Sequence, residues 1–278
     1  MRWLRHPIGA LIAELIVLAI PLNAAYGFAM QVVYRLDAVW GALFGIVAAV
    51  VACNAYNLYA RFLAKRETGE LAPRGVRGLV YGLGFGAALI GIVVAILAGT
   101  GQAQLSAGGS FALAGLPGVA IIAGAFEELV ARGVVLRNLE NVFGSFAAIA
   151  LSAVLFAVLH VGNPHWTPLS IAAVGIEGGV MLGAVYIATR SLWWTFGIHA
   201  AWNFTQTGLF GIADSGHPGQ GLLHTELVGP AWLTGGAFGI EASAVSVALC
   251  AIVAAGFLLH AHRRGRFVPP FWKRPHAV

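Results

Sequence analysis

The sequence predicts an all-α, polytopic membrane bundle of about eight spanning helices. Three observations lead there: 59% of the 278 residues are hydrophobic, only 10% are charged, and the Lys and Arg residues fall between long apolar runs. Soluble domains carry about 25% charged residues, and a mean hydropathy of +0.83 does not suit a water-exposed surface. The net charge of +5 does not indicate nucleic acid as a partner, because a nucleic-acid binder displays its basic residues on a folded polar face. Cys53 and Cys250 sit in separate apolar stretches, away from disulfide or metal-ligand spacing, and read as small core residues.

A spanning helix needs about 20 largely apolar residues. Such runs occur near 8–30, 38–63, 77–99, 113–136, 146–162, 168–189, 192–213 and 240–261. The first follows a basic start and resembles a signal peptide, but its length, the interruption by Glu14 and the lack of a small-x-small cleavage site favour a retained span. The second contains Gly41 and Gly45 and the sixth Gly179 and Gly183, the GxxxG spacing that lets helix backbones approach. The fourth carries charge and the fifth is short, so hydropathy identifies these two least readily. The longest polar stretches, 64–76, 214–238 and 262–278, leave no room for a soluble domain, and residues 1–278 are expected to form a single membrane domain.

Cytoplasmic loops are rich in Lys and Arg, and eight spans put alternate loops on alternate sides. Arg2, Arg5, Arg61, Lys65, Arg66, Arg74, Arg77, Arg137, Arg190, Arg263, Arg264, Arg266, Lys273 and Arg274 then fall on one side. Only Arg35 falls opposite, while Arg132 lies within a span. Both termini are therefore expected in the cytoplasm, with the C-terminal basic cluster against anionic headgroups.

An ionisable group inside a bilayer costs about 2.5–3.5 kcal/mol on insertion scales and needs a partner or a wet cavity. In the fourth span Glu128 and Arg132 are four residues apart and can pair on one helix face. Glu127 is turned by about 100° from Glu128, which leaves it free to point elsewhere. Phe156 and His160 share a face at the end of the fifth span, and His199 and Asn203 share one in the seventh. A carboxylate beside a His can take a proton from water, and a second His with an amide can stabilise an oxyanion. The same Glu and two His could instead ligate zinc with an open position, although no HExxH is present. Glu14 and Glu177 are expected to be buried and hydrogen-bonded or to line a cavity. Asn163, His165 and Trp166 read as interfacial, and His217 and His224 as solvated.

The ordered pattern Glu127-Glu128-x-x-x-Arg132, Phe156-x-x-x-His160 and His199-x-x-x-Asn203 resembles the three motifs of the CAAX protease and bacteriocin-processing (CPBP/Abi, Rce1-type) family of intramembrane endopeptidases. The resemblance covers about residues 110–210, the expected catalytic core. It implies Glu127 as general base acting with His160 on water, His199 and Asn203 as oxyanion stabilisers, and Glu128 and Arg132 as supporting residues. It further implies a glutamic-type mechanism with no cofactor, zinc being the less favoured variant, and a membrane-associated protein or peptide as substrate. A bacterial cytoplasmic membrane is the expected location. Two other readings compete: a non-enzymatic immunity or scaffold member of the same family, and a transporter in which the acids and histidines form an ion path. The second lacks the internal repeats usual in such proteins. Oligomeric state is left open by the sequence.

Overall fold

The computed structural model describes residues 6–109 and 115–274; Arg2 and Arg5, counted above, lie outside the described residues. Among these, eight helical rods follow the order that hydropathy predicts: α1 (Pro7–Val33), α2 (Ala38–Leu63), α3 (Pro73–Gly99), α4 (116–143), α5 (Ser145–Val158), α6 (Pro168–Thr189), α7 (192–209) and α8 (Ala244–Arg263). Five of them, α1, α2, α3, α6 and α8, are long and apolar enough to cross a membrane by length and composition. The other three carry the motif residues: α4 holds Glu127, Glu128 and Arg132, α5 leads into His160, and α7 holds His199 and Asn203. Polar groups lower the hydropathy of α4 and α7, whereas α5 is apolar but only 14 residues long.

Local chemistry sets the rod ends. Asp37 caps α2 by accepting from the Trp40 amide at 2.9 Å, Thr167 and Ser170 form a capping box before α6, and Ser243 caps α8 by accepting from the Ser246 amide. Such caps satisfy the orphan N–H groups of a helix start. Gly144 breaks α4 from α5 at φ 80°, a left-handed conformation that favours glycine. Several boundaries differ from expectation: α4 runs on to Phe143 rather than 136, and α5 stops at Val158 rather than 162. The seventh rod stops at Leu209 rather than 213, and the eighth begins at Ala244 rather than 240, because the Gly-rich stretch between them folds as a cap over one end of the bundle. The cap contains β2 (Leu223–Leu227), which pairs antiparallel with β1 (Ala103–Ala107) from the connection after α3, Ala103 opposite Leu227; these are the only two β-strands among the described residues. Hydropathy gave no sign of this pairing between segments more than a hundred residues apart.

The bundle is apolar outside and close-packed inside. Of the five long apolar rods α6 is the most enclosed, with 67% of its apolar span buried against 17% for α2. Ile20 and Phe28 on α1, Val39 and Val47 on α2, Phe146 and Val154 on α5 and Ile252 on α8 are all exposed, a belt that suits lipid and would be costly in water. Glycines set the inner spacing. The first GxxxG pair is a real interface: a Cβ on Gly41 would lie 2.8 Å from the Gly115 Cα, and one on Gly45 would lie 2.9 Å from the Gly118 Cα. α3 crosses α7 in the same way, where a Cβ on Gly82 would stand 2.5 Å from the Trp194 carbonyl oxygen and one on Gly86 would strike that of Ile198. This crossing fixes the backbone on which His199 sits.

The charges gather at the opposite end from the cap. Glu14 is buried there between Arg137, Asn138 and Arg66, so it is a structural group. Arg66 also pairs with Glu70 at 2.8 Å, Arg190 pairs with Glu140 at 2.5 Å, and Arg274 donates to the Glu140 carbonyl.

The α3–α7 crossing makes a direct prediction. Gly86→Val should destabilise the protein by about 1–3 kcal/mol or more through overpacking, whereas Gly84→Val, where an added Cβ meets nothing within 4 Å, should stay within about 0.5 kcal/mol of the parent. Thermal unfolding in detergent compares the two.

Candidate active site

A cavity of about 630 Å³ runs through the middle of the bundle, walled by α1, α4, α5, α6, α7 and the cap. Pockets that enclose small ligands span about 300–1,000 Å³. Glu127, His160, His199 and Asn203 all line it, so four residues from three rods face one space. Glu128 and Arg132 do not line it; they are 0% and 1% exposed behind its wall.

The buried pair forms as the spacing predicts. Arg132 Nη1 donates to Glu128 Oε1 at 2.7 Å, and its Nη2 donates to the Gly179 carbonyl on α6 at 3.3 Å. The guanidinium lies 5.0 Å from the Phe156 ring centroid, a cation–π contact. Gly178 allows that ring its place, since a Cβ there would collide with it. Beyond Glu128 the helix widens into π-turns over Leu129–Leu136, a feature often found beside functional groups.

The same Glu128 oxygen accepts from His199 Nδ1 at 2.9 Å, so the proton on that nitrogen is fixed by a carboxylate already paired with Arg132. His199 Nε2 consequently faces Glu127, 3.8 Å from its Oε2. The other Glu127 oxygen accepts from the Tyr26 hydroxyl at 2.8 Å. His160 is oriented through its backbone: Nδ1 lies 2.8 Å from the Phe156 carbonyl, which can only accept, so Nδ1 carries hydrogen and Nε2 of the neutral ring is a proton acceptor. Its ring packs against Phe156 at 4.9 Å between centroids. Among the described residues, the imidazole within 4.0 Å of Glu127 is His199 and not His160. Asn203 follows His199 by one helical turn on the cavity wall.

Sequence reasoning missed several wall residues. Tyr26 carried no signal in an apolar helix. Asn163, read as interfacial, lines the cavity, as do Asp214 and His217 of the cap, and His217 is exposed. Glu177 is not among those missed: it is buried on the wall, as the sequence led one to expect. Glu241 accepts from Gln206 Nε2 at 2.7 Å, the Ser215 amide at 2.7 Å and the Ser215 hydroxyl at 2.8 Å, which ties the cap to the end of α7. Burial pushes the Glu241 carboxyl up from 4.5 to about 7; burial and the neighbouring Glu241 hold Asp214 well above the carboxylate range.

A metal ion would need three or more converging donors. No group of three His, Cys, Asp or Glu side chains among the described residues is placed to hold an ion.

Residues 109–205 match a family model described as type II CAAX prenyl endopeptidase Rce1-like. The matched region contains all three motifs and agrees with the resemblance they suggested. No curated protein and no solved structure matches the chain.

Two outcomes follow from the site. Arg132→Met leaves Glu128 buried without its cation and should cost about 3–5 kcal/mol, read as a loss of thermal stability in detergent. In the cap, raised carboxyl pKa values mean that the folded state binds more protons than the unfolded chain between about pH 4.5 and 7. Stability of the cap is therefore greatest below that window and is lost as pH rises through it. Amide hydrogen exchange over residues 210–243 should quicken more than its intrinsic rate across this range, and Glu241→Gln should reduce that dependence.

Proposed function

We propose that this chain, whose residues 109–205 carry the Rce1-like region of type II CAAX prenyl endopeptidases, is an intramembrane endopeptidase that hydrolyses a peptide bond of a membrane-associated protein or peptide. The observation that carries the reading is the convergence of Glu127, His160, His199 and Asn203 on one cavity inside an apolar bundle. The whole chain, 1–278, acts as one membrane domain of eight spans in a bacterial cytoplasmic membrane, with both termini in the cytoplasm and 110–210 as catalytic core.

Glu127 is the general base. Its Oε1 is held by Tyr26, which leaves Oε2 to receive a proton from water, while His160 Nε2 accepts the second water hydrogen bond and aligns the oxygen for attack. Hydroxide adds to the scissile carbonyl carbon and the carbonyl oxygen becomes an oxyanion. Protonated His199 donates to that oxygen through Nε2, and the Asn203 amide donates beside it. With His199 protonated, the cluster of Glu127, Glu128, Arg132 and His199 carries two negative and two positive charges, the balance that a low-dielectric site favours. Glu127 then returns its proton to the amide nitrogen, the C–N bond breaks, and the acid and amine products leave. Glu128 and Arg132 touch no substrate in this scheme; they position His199.

Glu127→Ala, His160→Ala and His199→Ala should each abolish cleavage while leaving expression intact, a rate loss of about 10²-fold or more whether the lost group is the base, the water-aligning His160 or the oxyanion donor His199. A comparison of membrane peptides and protein termini between the parent strain and one carrying Glu127→Ala identifies the substrate and reads the effect. Full activity in Glu127→Ala would sink the assignment of the base. Tyr26→Phe should keep partial activity with a lowered kcat, since it removes the hydrogen bond that holds Glu127 Oε1. Activity that survives chelation would support the glutamic mechanism, whereas loss on chelation with recovery on adding zinc would replace it.

A further inference from the structure

We infer that the catalytic cavity is entered from the non-cytoplasmic side of the membrane, so that the bond it cuts lies in a segment presented from outside the cytoplasm. The inference rests on the peptidase reading for the word substrate, but its geometry stands independently.

The charged groups of the bundle are sorted by end. Arg66 and Arg137 meet at Glu14, and Arg190 and Arg274 meet at Glu140. This end is closed, because both carboxylates are buried and Ser145 fills the space beside Glu140, donating to it at 2.5 Å. The completely covered Arg132–Glu128 pair forms a further layer between this end and the cavity. An entering peptide would have to displace these ion pairs, and breaking one would leave an uncompensated charge out of water.

The rim of the cavity lies at the other end. Tyr34 follows α1, Leu116 begins α4, Asn163 follows α5, and Asp214, His217 and Pro218 belong to the cap. Tyr34, His217 and Pro218 are exposed. Along α4, Glu127 stands eleven residues from Leu116 at the rim and ten from Arg137 at the closed end, about 15 Å each way at 1.5 Å per residue. In a hydrocarbon core about 30 Å thick, the proposed base sits near the midplane and the cavity joins it to the rim. No Lys or Arg is on the cavity wall, and Arg35 is the lone basic residue at the rim end among the described residues. Since an excess of Lys and Arg marks the cytoplasmic side, the closed end faces the cytoplasm and the rim faces away from it. The substrate class is thus a membrane protein or peptide whose scissile segment reaches the outer half of the bilayer, and not a tail offered from the cytoplasm.

Accessibility of single cysteines tests the orientation without requiring activity. In a chain with Cys53→Ala and Cys250→Ala, His217→Cys reports the rim and Arg264→Cys, in the exposed turn after α8, reports the closed end. A charged, membrane-impermeant maleimide added to intact cells should label His217→Cys, and should label Arg264→Cys only after permeabilisation. The reverse pattern, or labelling of both in intact cells, would overturn the inference. Separately, the termini that disappear in the Glu127→Ala strain should map to non-cytoplasmic or outer-leaflet positions of their proteins. If labelling places the rim outside and Glu127→Ala changes no termini, the peptidase reading fails while the orientation holds; if all the lost termini are cytoplasmic, the inference fails while the peptidase reading holds.

Discussion

One carboxylate oxygen holds the site together. Glu128 Oε1 receives both Arg132 and His199, with no exposure to solvent. Removing such a charge from water costs several kcal/mol, and that cost is met only while both partners stay in place. The consequence is positional: α4 is pinned to α7 through His199 and to α6 through Arg132 and the Gly179 carbonyl. The imidazole then keeps a hydrogen on Nδ1 toward Glu128, and its Nε2 is aimed at Glu127. Without this pin, a histidine in an apolar helix would be free to turn toward any acceptor in the cavity.

Close helix contacts make that arrangement affordable in volume. Gly82 and Gly86 bring α3 against the backbone of α7, and Gly41 and Gly45 bring α2 against the start of α4. Gly178 admits the Phe156 ring, which in turn supports both Arg132 and His160. Small residues in these rods are therefore packing surfaces with defined partners, and the site inherits its rigidity from them. Polar groups explain why α4 and α7 look less like spanning helices than their neighbours, whereas α5 is apolar and short.

The cap supplies what the rods cannot. Gln206 at the end of α7 is joined to Glu241 ahead of α8, and Ser215 of the intervening segment binds the same carboxylate. Asp214 and His217 are carried to the rim by this network. The end that bears the cap is open and poor in cations, while the opposite end is sealed by ion pairs. This asymmetry gives the cavity a direction as well as a volume.

The membrane character of the chain, the order of its rods and the Glu128–Arg132 pair were legible in the sequence, because length of apolar run and separation along a helix are local quantities. So was the candidacy of Glu127, His160, His199 and Asn203, since each is polar where polarity is expensive and falls in an ordered motif. Tertiary structure decided the rest. Which imidazole approaches Glu127 depends on how α5 and α7 pack, and sequence spacing between rods says nothing about it. Tyr26 was invisible because a tyrosine costs little in an apolar helix, and its role exists only where α1 meets α4. The β1–β2 pair and the Glu241 network join segments far apart in the chain, so no local pattern could encode them. Sequence marks residues that are costly to bury, whereas only packing shows which partners repay that cost.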